Sequence, residues 1–140
     1  MTYKYQNPKY YLLFYNVVKN NPEELIKEYV NLENQYAKLI PEEAKLLHKT
    51  KDKKKLKSLL DKAEEFYKNV RKNFNSEINN LDSAVHLLFL QNHCFNGVYR
   101  ENSTGGYNTP FNWEGKIFDE EKIKSKINAV HEVFKKFEID

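Results

Sequence analysis

The sequence predicts a mainly α fold, a helical cluster that carries one aromatic- and glycine-rich β-hairpin or loop. Three observations predict it. Apolar residues recur at helical three-four spacing over most of the chain before residue 92 and again after residue 119. Between Asn92 and Gly115 that period vanishes, and Phe95, Tyr99, Tyr107, Phe111 and Trp113 sit among Asn, Gly, Ser and Thr. All four glycines, Gly97, Gly105, Gly106 and Gly115, fall in or beside that same stretch. The backbone that needs special conformations is therefore concentrated in one place.

The elements follow in order. Asn7-Pro8 and Asn21-Pro22-Glu23-Glu24 read as helix starts, with a capping residue and then proline at the first helical position. Pro41-Glu42-Glu43 repeats the signal without the cap. Leu12, Tyr15 and Val18 line the first helix, and Leu25, Tyr29, Leu32, Tyr36 and Leu39 give the second. Leu56, Leu59, Leu60, Ala63, Tyr67, Val70 and Phe74 predict one helix of about five turns. Leu81, Ala84, Val85, Leu88 and Phe89 predict another, with Asp82 and Ser83 near its start. The many Glu residues are expected on helix faces that meet water. Val98-Tyr99-Arg100 and Tyr107-Asn108-Thr109 then flank Asn102-Ser103-Thr104-Gly105-Gly106, a turn-rich connection of hairpin type. From Asp119 the helical period resumes through Ile123, Ile127, Val130, Phe134 and Phe137, and Phe137 to Asp140 looks like the beginning of a strand. One domain is expected over 1–140, with a helical bundle at 1–91, the hairpin or loop at 92–116 and a return helix at 117–140.

Composition narrows the function. At 140 residues, 40% hydrophobic, 31% charged and a mean hydropathy of −0.82, the chain is of soluble globular type. No apolar run reaches membrane-span length, and the start does not read as a signal peptide, so a cytoplasmic protein with no membrane partner is expected. The single cysteine, Cys94, excludes a disulfide framework and a Cys-rich zinc site. His86, His93 and Cys94 lack a fourth ligand, and no metal site is expected. The net charge of +3 neither demands nor discourages nucleic acid. Of 23 basic residues only Arg71 and Arg100 are arginine, a skew that suggests an AT-rich genome. An arginine kept against that bias points to a need for its planar, forked guanidinium.

Residues 94–111 run Cys-Phe-Asn-Gly-Val-Tyr-Arg-Glu-Asn-Ser-Thr-Gly-Gly-Tyr-Asn-Thr-Pro-Phe. This segment resembles that of Dam-type (D12 class) adenine-N6 DNA methyltransferases, Cys-Phe-Asn-Gly-Leu-Tyr-Arg-x-Asn-x-x-Gly-x-Phe-Asn-x-Pro-Phe. A second family stretch, Tyr-x-x-(Ile/Val)-Arg-x-x-Phe-Asn, is matched by Tyr67, Val70, Arg71, Phe74 and Asn75. A weaker third lies near Asn7 to Tyr15. The resemblance covers nearly the whole chain and implies the target-recognition insert of a class I methyltransferase, whose hairpin enters the major groove beside the target adenine.

Carried over to this sequence, the resemblance gives Arg100 a guanine contact, and has Phe95 insert beside or stack on a base displaced by adenine flipping. Asn96 bonds to the opened pair or its phosphate. Val98 and Pro110 touch base edges, Asn102 and Asn108 brace the hairpin, and Gly97 lets the backbone approach the duplex. Elementary chemistry agrees: a guanidinium offers two parallel donors to the two acceptors of guanine, and an aromatic ring can fill the gap a flipped base leaves. Double-stranded DNA is the partner implied. The complete enzyme would use S-adenosylmethionine, but no cofactor is expected on this chain. It has no glycine before residue 97 for a Phe-x-Gly-x-Gly turn and no adjacent prolines for Asp-Pro-Pro-Tyr. Tyr5-Gln6 stands where the family usually has an acidic residue. The chain alone is therefore expected to be inactive, and a second chain carrying the missing motifs is one way to complete it. A stand-alone DNA-binding or regulatory module and an inert remnant stay open as alternatives.

Bland readings compete at individual residues. The aromatics of 92–116 could be the core of a lobe. Arg100 could pair with Glu101 or Glu114, and Arg71 is read as a tie between the long helix and the lobe. The six lysines from Lys49 to Lys57 suit either a solvated helix end or a phosphate-contacting patch.

Overall fold

The computed structural model describes residues 8–46, 52–76, 79–94, 100–112 and 120–136. Seven helices occur among them: α1 (Pro8–Asn20), α2 (Pro22–Ala37), α3 (Glu42–Leu46), α4 (Lys53–Leu59), α5 (Asp61–Asn75), α6 (Asn80–His93) and α7 (Glu120–Lys136). The mainly helical class follows directly. None of these helices is long and apolar enough to cross a membrane.

Helix α6 is the axle of the bundle, packed by α1, α2 and α5. Its sequence explains why. Ser83, Ala84, Val85, Phe89, Leu90 and His93 are buried and most remaining side chains are half-covered, so apolar residues run around the whole helix rather than along one stripe. Asn79 caps it, its Oδ1 accepting from the Leu81 and Asp82 amides at 2.8 and 3.2 Å. Helices α2 and α5 are more plainly two-faced. Leu25, Ile26, Tyr29, Glu33 and Tyr36 of α2 face inward, as do Ala63, Tyr67, Val70 and Phe74 of α5. Helix α7 closes the other side of the bundle against α1 and α2, with Ile127 buried and the His131 Nδ1 donating to the Val18 carbonyl at 2.8 Å.

Several expectations are corrected. The five-turn helix is two, α4 and α5, bent at Leu60 (φ −96°, ψ 14°), and the bend keeps Leu56, Leu60 and Ala63 all in the core. Asn21 stands at the N-cap position of α2 but its side chain makes no cap bond, so the start rests on Pro22 and the acids that follow it. Leu12 is 66% exposed, and the buried face of α1 is carried by Val17 and Val18. Glu33 does not face water; it is fully buried. Of the two forms expected for 92–116, hairpin or loop, the described residues show no strand: Cys94 with Phe111 and Glu101 with Tyr107 are isolated antiparallel bridges, and residues 100–112 are a loop. Its polar side chains Asn102 and Thr109 take hydrogen bonds from the Gly106 and Arg100 amides that a regular ladder would otherwise use. The strand expected at 137–140 lies outside the described residues.

Candidate nucleic-acid interface

The loop begins where α6 stops. Its stem is closed by the Asn112 amide donating to the His93 carbonyl at 2.8 Å, beside the Cys94–Phe111 bridge. Further out, the Asn108 amide donates to the Arg100 carbonyl at 3.0 Å and the Asn102 amide to the Gly106 carbonyl at 2.8 Å. The tip is a tight turn from Asn102 to Gly105, closed by Gly105 N–H to Asn102 O at 3.0 Å. Gly105 holds φ at +86°, the left-handed region that glycine enters without cost from a Cβ. The Asn102 Oδ1 fills the turn, accepting from Thr104 N–H, Thr104 Oγ1 and Gly106 N–H at 3.0, 2.8 and 2.9 Å.

Helix α5 fixes the returning arm from beneath. Tyr67, Arg71 and Asn75 are four residues apart, so they stand one above another on a single helix face. The Tyr67 hydroxyl donates to the Thr109 carbonyl at 2.8 Å and Arg71 Nη1 donates to the same oxygen at 3.2 Å. Asn75 makes a reciprocal pair with Tyr107: its Nδ2 donates to the Tyr107 carbonyl at 3.0 Å, and its Oδ1 accepts from the Tyr107 amide at 2.8 Å. Thr109 Oγ1 in turn accepts from the Arg100 amide at 3.0 Å. Burial pushes the Tyr67 and Tyr107 hydroxyls well above the usual phenol range, so both are neutral bonding groups at physiological pH. Arg71 does serve as the tie between the helix and this segment, its guanidinium also lying 5.9 Å from the centre of the Tyr67 ring.

Of the residues singled out from sequence, Arg100, Asn102, Asn108 and Pro110 are described. Arg100 is exposed and forms no ion pair with a described residue, Glu101 included. Pro110 is exposed and Asn102 occupies the tip. Asn108 braces the loop through its main chain, while its side-chain oxygen is buried with no hydrogen bond to a described residue. Phe95, Asn96, Gly97 and Val98, together with Tyr99 and Trp113, lie outside the described residues. The two described aromatics, Tyr107 and Phe111, are buried against Phe74 and Tyr67 and belong to the core. Lys53, Lys54, Lys55 and Lys57 are exposed on α4, and Lys55 pairs with Glu43 at 2.9 Å.

Sequence reasoning missed one group. Glu33 accepts from the Tyr29 hydroxyl at 2.6 Å and from Asn92 Nδ2 at 3.1 Å, and its other oxygen meets His93 Nε2 at 2.7 Å. The signal was present in the spacing, since Glu33 stands one helical turn from both Tyr29 and Tyr36 on the apolar face of α2.

Neither of two places among the described residues, the surroundings of Gly106 and a groove on α4 and α5, fits S-adenosylmethionine. A Cβ placed on Gly106 would meet the Asn102 side chain at 3.1 Å, so the space beside that glycine is already filled. A shallow groove between α4 and α5 is lined by Lys54, Lys57, Ser58, Asp61 and Glu64, none of them an aromatic or aliphatic residue against which an adenine ring could stack.

Residues 6–139 match the sequence model of a family described as D12 class N6 adenine-specific DNA methyltransferase. Among curated relatives, the type II methyltransferase M.MjaIII of Methanocaldococcus jannaschii is 33% identical over 119 residues, which are 81% of this chain and 35% of that protein. The retron Ec67 DNA adenine methylase of Escherichia coli is 36% identical over 61 residues, 41% of this chain and 21% of that protein. The chain thus spans about a third or less of the length of these relatives.

Proposed function

The chain belongs to the D12 class N6 adenine-specific DNA methyltransferase family, and from that premise we propose that it is the target-recognition part of a site-specific adenine methyltransferase. On this reading residues 1–91 and 117–140 form the base, and 92–116 read duplex DNA from the major groove. Methyl transfer from S-adenosylmethionine to adenine N6 then depends on a cofactor-holding glycine turn and an Asp-Pro-Pro-Tyr segment, neither of which occurs in these 140 residues.

One observation carries the proposal. Arg100 presents an exposed guanidinium from a loop whose backbone is hydrogen-bonded, through Thr109 and Tyr107, to one face of α5. A guanidinium discriminates guanine only if its two donors arrive in a fixed plane, so a firm support beneath an open side chain is what direct readout requires. Pro110, exposed on the same loop, offers an apolar contact to a base edge. Phe95, Asn96, Gly97 and Val98 take the flipping and groove-approach roles the family resemblance gives them.

The test is binding. Selection of the 140-residue chain against a randomised duplex pool yields its preferred site, and Arg100→Ala and Arg100→Lys are then titrated against that site and single-pair mismatches. Loss of about 1–3 kcal/mol on the preferred site, with little change on the mismatches, is expected for a bidentate base contact. Equal loss on every duplex marks a phosphate contact and rejects direct readout, and no enrichment of any site rejects the target-recognition role.

A further inference from the structure

Both ends of the reading loop converge on one residue. His93 is the last residue of α6, its carbonyl accepts the Asn112 amide that closes the stem, and its neighbour Cys94 bridges to Phe111. Its imidazole is 2% exposed, lies 4.3 Å from the Tyr36 ring and 4.6 Å from the Phe89 ring, and reaches Glu33 Oε1 at 2.7 Å. Glu33 belongs to α2, a different wall of the bundle. Its second oxygen is taken by Tyr29 from α2 and by Asn92 from α6. Asn92 Nδ2 also lies 3.3 Å from His93 Nε2, and its acceptor is Glu33 Oε2 at 3.1 Å.

A carboxylate placed in a core is costly even when its bonds are complete, and well-packed apolar residues commonly do as well or better for stability. What such a group supplies is direction: three partners on two helices are satisfied in one arrangement only. We propose that Glu33 is a positioning residue, fixing through His93 the angle at which the loop leaves α6 and hence the approach of Arg100 to its base. The proposal rests on the target-recognition reading for its consequence in DNA, and on the geometry of the stem alone for its consequence in the protein.

Three variants separate orientation from mere support. Glu33→Met keeps the volume and removes every acceptor. Glu33→Gln keeps an oxygen for Tyr29 and Asn92 and presents an amide to His93, which can accept in one of its tautomers. Should Glu33→Met fail to fold, the apolar set Tyr29→Phe, Glu33→Met and His93→Phe keeps the ring stack and leaves no buried ionisable group among these three positions. The readout is the ratio of affinities for the preferred and mismatched duplexes. A loss of folded protein lowers binding to both equally and cancels in the ratio, whereas a misdirected loop lowers it. Glu33→Met is expected to cut the ratio by about tenfold, the scale of a small misplacement of a recognition group, with Glu33→Gln near the parent. An unchanged ratio in Glu33→Met, or a Glu33→Gln variant as impaired as Glu33→Met, overturns the proposal. Amide hydrogen exchange decides the matter if the parent chain shows no preference among duplexes, which would defeat the recognition reading by itself. Faster exchange at Asn108 and Asn112 in Glu33→Met, with α5 unchanged, supports positioning, and unchanged exchange there overturns it.

Discussion

Along the returning arm of the loop, neighbouring residues meet opposite surroundings. Tyr107, Thr109 and Phe111 are 1%, 1% and 4% exposed, while Pro110 is open to solvent and Asn108 and Asn112 are half-covered. The alternation is that of extended chain, whose side chains point to opposite sides in turn. The inner side is anchored by apolar packing and by bonds from Tyr67, Arg71 and Asn75 that reach main-chain atoms of Tyr107 and Thr109. The outer side and the tip, with Arg100 and Pro110, take little part in that anchoring. Because α5 grips main chain, outward side chains can change without loss of the grip. Support and reading are thus divided between two faces of one short segment.

The largest blow to the inner side is Tyr107→Ala. It empties a fully buried ring position packed edge-on against Phe74, 5.9 Å between centroids, and removes a hydroxyl 3.3 Å from that of Tyr67. A deletion of this size costs about 3–5 kcal/mol, a large share of what a small domain has. Urea unfolding should show the midpoint falling steeply, with α5 and the loop losing protection together if they form one cooperative unit. Loss confined to the loop amides would break the comparison, because the inner side would then be a passenger on the bundle.

Asn75→Ala sharpens the comparison by removing bonds without a ring. Two main-chain groups of Tyr107 lose their partners in a partly buried position, for an expected cost of about 1–3 kcal/mol. Asn75→Asp is the stricter variant: its carboxylate still accepts from the Tyr107 amide but sets an oxygen against the Tyr107 carbonyl. Both should lower the unfolding midpoint by similar amounts, measured side by side in urea. An Asp variant as stable as the parent would mean that only one of the two bonds contributes.

How much of this could be read in the sequence depends on whether a residue's partner is near it along the chain. The helix start at Pro22, the buried stripe of α5 and the non-helical stretch 100–112 are local patterns, and each is where spacing and composition put it. The bend at Leu60 was hidden because apolar spacing runs through it unbroken. The role of Asn75 was hidden for another reason: it acts on a residue 32 positions away, and a polar residue at a helix end looks like any solvated one. Glu33 shows the same limit more sharply. Its position on the apolar face was visible, but its acceptability in a core depends on Asn92 and His93, which nothing local to α2 announces. Between hairpin and loop the sequence could not choose, because pairing depends on which acceptors the fold brings to the backbone, and here the Asn102 and Thr109 side chains are among them.

The smallest effect is expected at the tip. Asn102→Ala deletes the oxygen that accepts from Thr104 N–H, Thr104 Oγ1 and Gly106 N–H. Three bonds outnumber the two of Asn75, but the turn is exposed and water can replace each of them, so the loss should stay at about 1 kcal/mol or below. Gly105→Ala is the companion: its φ of +86° makes any Cβ unfavourable by about 1–2 kcal/mol, although nothing lies within 4 Å of the added atom. Both variants should leave the exchange of Tyr107 and α5 amides unchanged, because the bonds that hold the inner side do not pass through the turn. Loosening at Tyr107 in either variant would show that the tip and the underside are one structure, and the division of labour along this segment would fail.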